Sequence, residues 1–254
     1  MKKKSFLIQS LIILLLSVGI VASFGIIPLP EYSTEINQEL NGEIFYLVEI
    51  QSSNILPPAP DIVDQCIFKI DISSAITDEE KVICTSDLYQ YSYDIYLNNT
   101  EIDENQNLVL RYWDNSANSE MTLMINPENS EIKKVNNEDV SMGRSAYEVN
   151  SLGEKLLSSW DMREMSGRSA GIFYQKNSNI IEIFNVEAPT NYYFESLRWS
   201  PDGNSIVALD TENEIIIFSK NKIHEPIKLH LSSSYSPQFE GDEKVIYQLI
   251  GWNN

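Results

Sequence analysis

Residues 197–208 read LRWSPDGNSIVA, an apolar segment followed by a tight turn and a second apolar segment. The turn is chemically specific. Pro201 fixes φ at the first central position, Asp202 can accept a hydrogen bond from the backbone that follows it, and Gly203 can adopt positive φ. Ser200 precedes them, and the segments on both sides are rich in strand-forming residues. The stretch therefore predicts a β-hairpin.

Weaker copies of this turn precede other apolar blocks, at Gly42, Asn105, Gly153 and Gly241. Along the chain, short blocks rich in Ile, Val, Phe and Tyr alternate with Asn, Asp, Ser and Gly, and no convincing amphipathic helix follows residue 31. We therefore expect an all-β protein of antiparallel strands. The predicted strands lie at residues 43–50, 66–72, 81–85, 108–113, 121–125, 155–160, 171–174, 180–186, 196–199, 205–209, 214–219, 227–231 and 244–250.

This pattern of turns and strands resembles the TolB-like, WD-repeat-like β-propellers, whose blades carry a Ser-Pro-Asp-Gly turn between their first and second strands. The match is strongest at Ser200, Pro201, Asp202 and Gly203 and extends in degenerate form over most of residues 42–252. The resemblance implies a small β-propeller of about four to five blades, in which the terminal strands share one blade or form an incomplete fifth. Propellers of this kind mostly serve as binding scaffolds, so the resemblance also implies a binding or assembly role.

The amino terminus indicates export. Lys2, Lys3 and Lys4 precede an uncharged, mostly apolar run over residues 5–30, which is the pattern of a secretory signal. The run exceeds the roughly 7–15 residues of a cleaved apolar core and reaches the roughly 20 residues of a membrane-spanning helix. Residues 1–30 are therefore interpreted as a signal peptide or an N-terminal membrane anchor formed by a hydrophobic helix. Residues 31–254 are interpreted as an extracytoplasmic β-propeller-like domain, with membrane contact only through a retained first segment.

The charge balance restricts the partners. The chain has 37 acidic and 18 basic residues and a formal charge of -19, which repels a phosphate backbone. Nucleic acid is therefore not an expected partner, and another protein is expected instead. The composition, with 43% hydrophobic and 22% charged residues, is that of a packed globular protein.

The only two cysteines, Cys66 and Cys84, lie on consecutive predicted strands and are in phase with apolar neighbours. Their side chains can therefore face each other across a strand pair. In an exported protein such a pair predicts a disulfide. Two buried free thiols are the alternative.

No residue set in the sequence indicates catalysis, and no cofactor or metal site is predicted. His224 and His230 are the only histidines, and a metal site needs further ligands beside them. The Gly-x-Ser-x-Gly turn of many serine hydrolases does not occur. We therefore expect binding without catalysis. The alternatives are a hydrolase that uses carboxylates at the mouth of the propeller channel, and a purely structural envelope protein.

Two further motifs admit both a functional and a structural interpretation. Tyr89, Tyr91 and Tyr93 alternate with polar residues, which predicts one face of a strand. That face is interpreted as core, with stacking against a sugar as the alternative. Asp103 and the residues after it resemble the start of a calcium loop, but Leu108 stands where glycine is required. A simple turn is therefore predicted there.

Overall fold

A computed structural model of the chain describes residues 32, 40–52, 61–73, 79–93, 95–135, 149–158, 169–187, 192–221, 225–229 and 244–253. These residues form fifteen β-strands and two short 3-10 helices, at Thr85–Leu88 and Leu97–Asn99, so the all-β prediction is confirmed. Within this part of the chain no helix is long and apolar enough to cross a membrane. The predicted signal or anchor at residues 1–30, with its apolar helix, lies outside the described residues, as do His224, His230 and Gly241.

The strands form four antiparallel sheets. Sheet I contains β1 (Glu43–Ser52), β2 (Asp61–Asp71), β3 (Glu79–Cys84) and β15 (Lys244–Asn253), in the order β15-β1-β2-β3. Sheet II contains β4 (Thr100–Ile102), β5 (Leu108–Asp114), β6 (Ser119–Ile125) and β7 (Ile132–Val135), in chain order. Sheet III contains β8 (Lys155–Ser158), β9 (Ser169–Lys176) and β10 (Asn179–Glu187), and Val149 bridges to Lys155 at its edge. Sheet IV contains β11 (Phe194–Trp199), β12 (Ser205–Asp210), β13 (Ile215–Ser219) and β14 (Ile227–Leu229), in chain order.

Sheet I is built from both ends of the described chain. The last strand, β15, pairs antiparallel with the first, β1, so that Glu43 lies opposite Asn253 and Gln51 lies opposite Lys244. The strands of each other sheet follow one another along the chain. Sharing of one sheet by the terminal strands is one of the two arrangements expected from the sequence.

The turns that lead into β5, β8 and β12 have the same backbone geometry. Gln106, Gly153 and Gly203 adopt positive φ of 69°, 73° and 71°, and each donates its amide to the carbonyl three residues earlier. The copy expected at Asn105 is therefore displaced by one residue. In sheet I no covalent turn joins β15 to β1, and Gly42, with φ of 102°, lies at the corresponding place before β1.

The sheets pack face to face in the order II, I, IV, III. Alternate side chains of β1 enter two different cores: Phe45 and Leu47 pack between sheets I and II, whereas Ile44 and Tyr46 pack between sheets I and IV. A third core, which contains Trp199, joins sheets III and IV. Because sheet I buries both of its faces, β1 is an almost continuous apolar run instead of an alternating one.

Candidate binding site

The chain between β3 and β4, residues 85–99, links sheet I to sheet II and is termed the tyrosine connection. It begins with the 3-10 helix Thr85–Leu88 and continues as turns. The Leu88 carbonyl accepts the amides of Tyr91 and Ser92, at 2.8 and 3.4 Å, which is a local turn and not the pairing of a strand. The strand predicted from the alternating tyrosines is therefore wrong.

The tyrosines of this connection lie mostly on the surface. Tyr89, Tyr93 and Tyr96 are 48%, 82% and 51% exposed, and Tyr91 packs partly against the core. The core position expected for the tyrosine row is thus wrong for Tyr89 and Tyr93. The rings of these two residues lie 5.4 Å apart, centroid to centroid, and are inclined by 37°. They form one exposed aromatic surface.

Aliphatic residues hold the same connection to the protein. Leu88, Ile95 and Leu97 are at most 4% exposed and belong to the core between sheets I and II. Tyr89 directly follows Leu88, and Tyr96 lies between Ile95 and Leu97. Buried neighbours therefore fix the backbone of both exposed tyrosines.

A disulfide fixes the start of the tyrosine connection. Cys66 of β2 and Cys84 of β3 lie directly opposite each other and are bonded, with an S–S distance of 2.01 Å, as the sequence predicted. Beside them the Thr85 hydroxyl donates to the Asp64 carboxylate at 2.7 Å. The two sulfurs and this carboxylate lie within 4.8 Å of one another, but sulfurs bonded to each other are not thiolate ligands for a metal ion.

A series of hydrogen bonds between buried polar side chains fixes the carboxyl-terminal end of the tyrosine connection. The Leu97 amide donates to Gln65 Oε1 at 2.6 Å, and Gln65 Nε2 donates to Glu49 Oε2 at 2.5 Å. Gln51 Nε2 donates to the second oxygen of Glu49 at 2.5 Å. The Gln65 side chain is fully buried. Because a buried polar group without a partner is costly, this series of hydrogen bonds specifies the position of Leu97.

The sequence around the tyrosine connection carries negative charge only. Between Val82 and Leu110 there is no lysine, arginine or histidine. The acidic residues of that stretch are Asp87, Asp94, Glu101, Asp103 and Glu104. The exposed amide side chains of the connection are Gln90, Asn98 and Asn99. The connection itself therefore offers aromatic faces, amides and carboxylates, and its sequence holds no cationic residue.

No protein-family model matches this chain, and none of the curated proteins is detectably similar to it. Its function is therefore inferred from the chemistry of its own residues.

A polar recess lies on sheet II beside the tyrosine connection. It is a cavity of about 290 Å³ lined by Asn99, Glu101, Val109, Arg111 and Glu120. Asn99 is the last residue of the connection, so the recess begins where the connection ends. Two carboxylates and one guanidinium thus line a single concave surface.

A buried carboxylate between sheets III and IV was missed by the sequence analysis. Glu154 is 1% exposed. Its carboxylate accepts hydrogen bonds from Asn150 Nδ2 at 2.7 Å, from Lys176 Nζ at 3.0 Å and from Lys220 Nζ. Burial disfavours the charged form of Glu154 and by itself would raise its pKa. The hydrogen bonds from these donors have the larger combined effect and lower the pKa of Glu154 to about 2. The lysines follow 22 and 66 residues later, so no local pattern could indicate them.

The first described residue, Tyr32, packs against the same two sheets. Its hydroxyl lies 2.9 Å from that of Tyr192, and its ring centroid lies 6.3 Å from Phe184 and 6.5 Å from Phe218. Burial is the main cause that raises the pKa of Tyr32 to about 12. Residue 32 follows the predicted signal or anchor closely. Tyr32 is thus held at sheets III and IV, whereas the tyrosine connection lies between sheets I and II.

The Ser200–Gly203 motif forms the turn between β11 and β12. Asp202 Oδ1 accepts the Asn204 amide at 3.0 Å, and Ser200 Oγ accepts the Ser205 amide at 2.9 Å. Pro201 occupies the first central position of the turn. These contacts satisfy the polar groups of the motif locally, which is a structural role.

Asp103 forms a comparable turn before β5. Its Oδ1 accepts the amides of Asn105 and Asn107, both at 2.8 Å. The carboxylate thus caps its own loop, as the turn interpretation predicted.

Proposed function

We propose that this protein is an extracytoplasmic binding module that holds another protein through the tyrosine connection. One observation carries the proposal: Tyr89, Tyr93 and Tyr96 are exposed on a connection that is fastened at both ends. Tyrosine is among the residues that contribute most at protein interfaces, because it offers a large amphipathic surface and loses few rotamers on binding. A fastened backbone further lowers the entropy lost when a partner binds.

The scaffold of the module is, in this proposal, a four-bladed β-propeller. Three observations support it: the sheets pack face to face in series, the terminal strands share sheet I, and equivalent turns lead into β5, β8 and β12. β15 stands first in the spatial order of sheet I, and β4 and β11 stand first in sheets II and IV. These strands lie side by side, since β15 contacts both β4 and β11. Propellers bring the first strand of each blade to the central axis in this way.

Closure of the ring requires sheets II and III to face each other. Val109 of β5, which also lines the recess on sheet II, and Phe173 of β9 belong to none of the three cores described above, yet they are only 3% and 2% exposed. Their burial supports a fourth interface between these two sheets. The tyrosine connection would then lie on the outside of the ring, at the junction of its first two blades.

The extracytoplasmic location rests on two features. The disulfide between Cys66 and Cys84 suits an oxidising compartment. The lysines and apolar run at residues 2–30 have the pattern of an export signal.

The binding proposal can be tested with the tagged full-length protein as bait, crosslinked in cells. We expect the Tyr89→Ala/Tyr93→Ala double variant to lose a partner that the wild type retains. The matched control is Leu152→Ala/Ile180→Ala, which removes two apolar side chains that are 65% and 52% exposed elsewhere. Equal recovery of every crosslinked protein by the two double variants would contradict the proposal.

The recess on sheet II favours a second candidate, a hydrolase that uses carboxylates. Glu101 and Glu120 line the same concave surface, and most glycoside hydrolases use a pair of carboxylates on either side of the bond they cleave. A panel of chromogenic glycosides tests this candidate. Turnover by the wild type that is lost in both Glu101→Gln and Glu120→Gln would support it, and absence of turnover by the wild type would reject it.

A further inference from the structure

The exposed part of the tyrosine connection has an unusual composition. All of its described aliphatic residues, Leu88, Ile95 and Leu97, are buried. Its exposed residues include Tyr89 and Tyr93, three amide residues and Asp87. Such a surface lacks the aliphatic contacts that hold the apolar face of a partner helix.

The rings present their faces in a negative surrounding. An aromatic ring has a negative face, which attracts a lysine ammonium or an arginine guanidinium. Tyr93 is 82% exposed and lies next to Tyr89, so a cation can reach either ring. The connection also carries the exposed Asp87, and the sequence between Val82 and Leu110 holds no base, which strengthens that attraction.

The protein uses the same contact internally. Lys220 Nζ lies 5.0 Å from the ring centroid of Tyr174 and 5.4 Å from that of Trp199, while its charge is paired with Glu154. A cation near aromatic rings and a carboxylate is thus a stable arrangement in this fold. The tyrosine connection offers exposed rings and the Asp87 carboxylate, and its sequence contains no lysine or arginine.

We propose that the tyrosine connection binds a lysine- or arginine-bearing segment of a partner protein, with the cation stacked on Tyr93 and Tyr89. This inference rests on the proposed binding function and adds the chemistry of the partner. The formal charge of -19 draws a basic partner to the protein and repels anionic polymers. Recognition is local, because Tyr89 and Tyr93 place two exposed rings together on a connection whose sequence holds no basic residue.

Fluorescence anisotropy of a labelled decapeptide with three arginines, titrated with the full-length protein, tests the inference. We expect binding that weakens with salt, and we expect the same peptide with glutamine for arginine to bind at least tenfold more weakly. Tyr93→Phe keeps the ring and should leave the affinity within about twofold. Tyr93→Leu keeps apolar area but removes the ring, and should lower the affinity about two- to fivefold.

Trp113→Leu is the matched control, because Trp113 is 54% exposed and lies in β5, outside the tyrosine connection. Equal losses for Tyr93→Leu and Trp113→Leu would mean that the acidic surface attracts the peptide without a defined site, and would overturn the inference. So would equal binding of the glutamine peptide. Binding of chitohexaose, a neutral glycan, through Tyr93 in place of the arginine peptide would also overturn it.

The two proposals fail in different ways. A crosslinked partner that depends on Tyr89 and Tyr93, together with indifference to the peptide's arginines, would leave the binding function standing and reject a cationic segment. A crosslinking pattern unchanged by Tyr89→Ala/Tyr93→Ala would reject the binding function and the inference that rests on it.

Discussion

Gly42 lies directly against Asn253, so that a Cβ atom added to the glycine would stand 1.9 Å from the Asn253 carbonyl oxygen. The two residues meet at the place that corresponds to the turns leading into β5, β8 and β12. Beside them, Trp252 Nε1 donates to the Asn41 carbonyl at 3.0 Å. β15 and β1 are thus held together by their antiparallel pairing, by this close backbone contact and by the indole hydrogen bond, with no covalent turn between them.

We expect Gly42→Ala to lower the free energy of unfolding by about 3 kcal/mol or more, because its methyl group meets backbone and its φ is 102°. Gly153→Ala is the matched control. Gly153 has a φ of 73° with nothing within 4 Å of an added Cβ, so it should lose only about 1–2 kcal/mol. Urea unfolding followed by tryptophan fluorescence measures both. Equal losses would show that the contact with Asn253 contributes nothing.

Removal of the disulfide should destabilise the protein and free the start of the tyrosine connection. The bond closes a loop with a sequence separation of 18 residues, for which loop entropy predicts about 3 kcal/mol. We expect the Cys66→Ser/Cys84→Ser variant to lose about this much, and a reductant to shift the wild-type midpoint equally. The reductant should have no effect on the variant. An effect there would indicate a cause other than this bond.

Glu154→Gln should lower the free energy of unfolding by about 3–5 kcal/mol, because it leaves Lys220 beside a neutral, buried partner. Glu131→Gln serves as the control. Glu131 pairs with Lys133 at 3.2 Å on the surface, with side chains 53% and 62% exposed, so its loss should cost less than about 1 kcal/mol. Urea midpoints of both variants provide the measurement. Comparable losses would contradict the assignment of Glu154 as a buried ion pair.

The same carboxylate should give a defined pH dependence. Its pKa in the folded protein is about 2, below the ordinary value of 4.5, so the unfolded chain binds the proton more tightly. Its contribution is therefore fully present above about pH 4.5 and is lost as the pH falls towards 2. The stability difference between wild type and Glu154→Gln should shrink across that window. A difference that stays constant down to about pH 3 would contradict the lowered pKa.

Closure of the ring predicts that Val109 and Phe173 share one core. In a double-mutant cycle with Val109→Ala and Phe173→Ala, we expect a coupling energy of about 0.5 kcal/mol or more. Val109→Ala with Leu209→Ala is the control, because Leu209 belongs to the core between sheets I and IV and should add independently. Additive losses in both cycles, within about 0.3 kcal/mol, would argue against contact between sheets II and III.

The tyrosine row shows where prediction from the sequence fails. Tyr89, Tyr91 and Tyr93 alternate as in a strand, yet Asp87 accepts the Cys84 amide at 2.9 Å and the chain turns into a 3-10 helix. A local hydrogen bond from a backbone amide to a short acidic side chain competes with strand pairing. The alternation of tyrosines with polar residues gives no sign of this competition. The exposure of the rings could therefore be known only from the folded structure.

The sequence by itself determined the antiparallel strands, the turn at Pro201–Gly203 and the pairing of the two cysteines. The strands and the turn depend on residues that are close together in the sequence. The cysteines can pair in one way only, because there are two of them. Only the tertiary structure decided that β15 completes sheet I, that Lys176 and Lys220 meet at Glu154, and that Gln65 fixes Leu97. Each of these contacts joins distant parts of the chain, and their free energy comes from burial and charge that exist only once the sheets have packed.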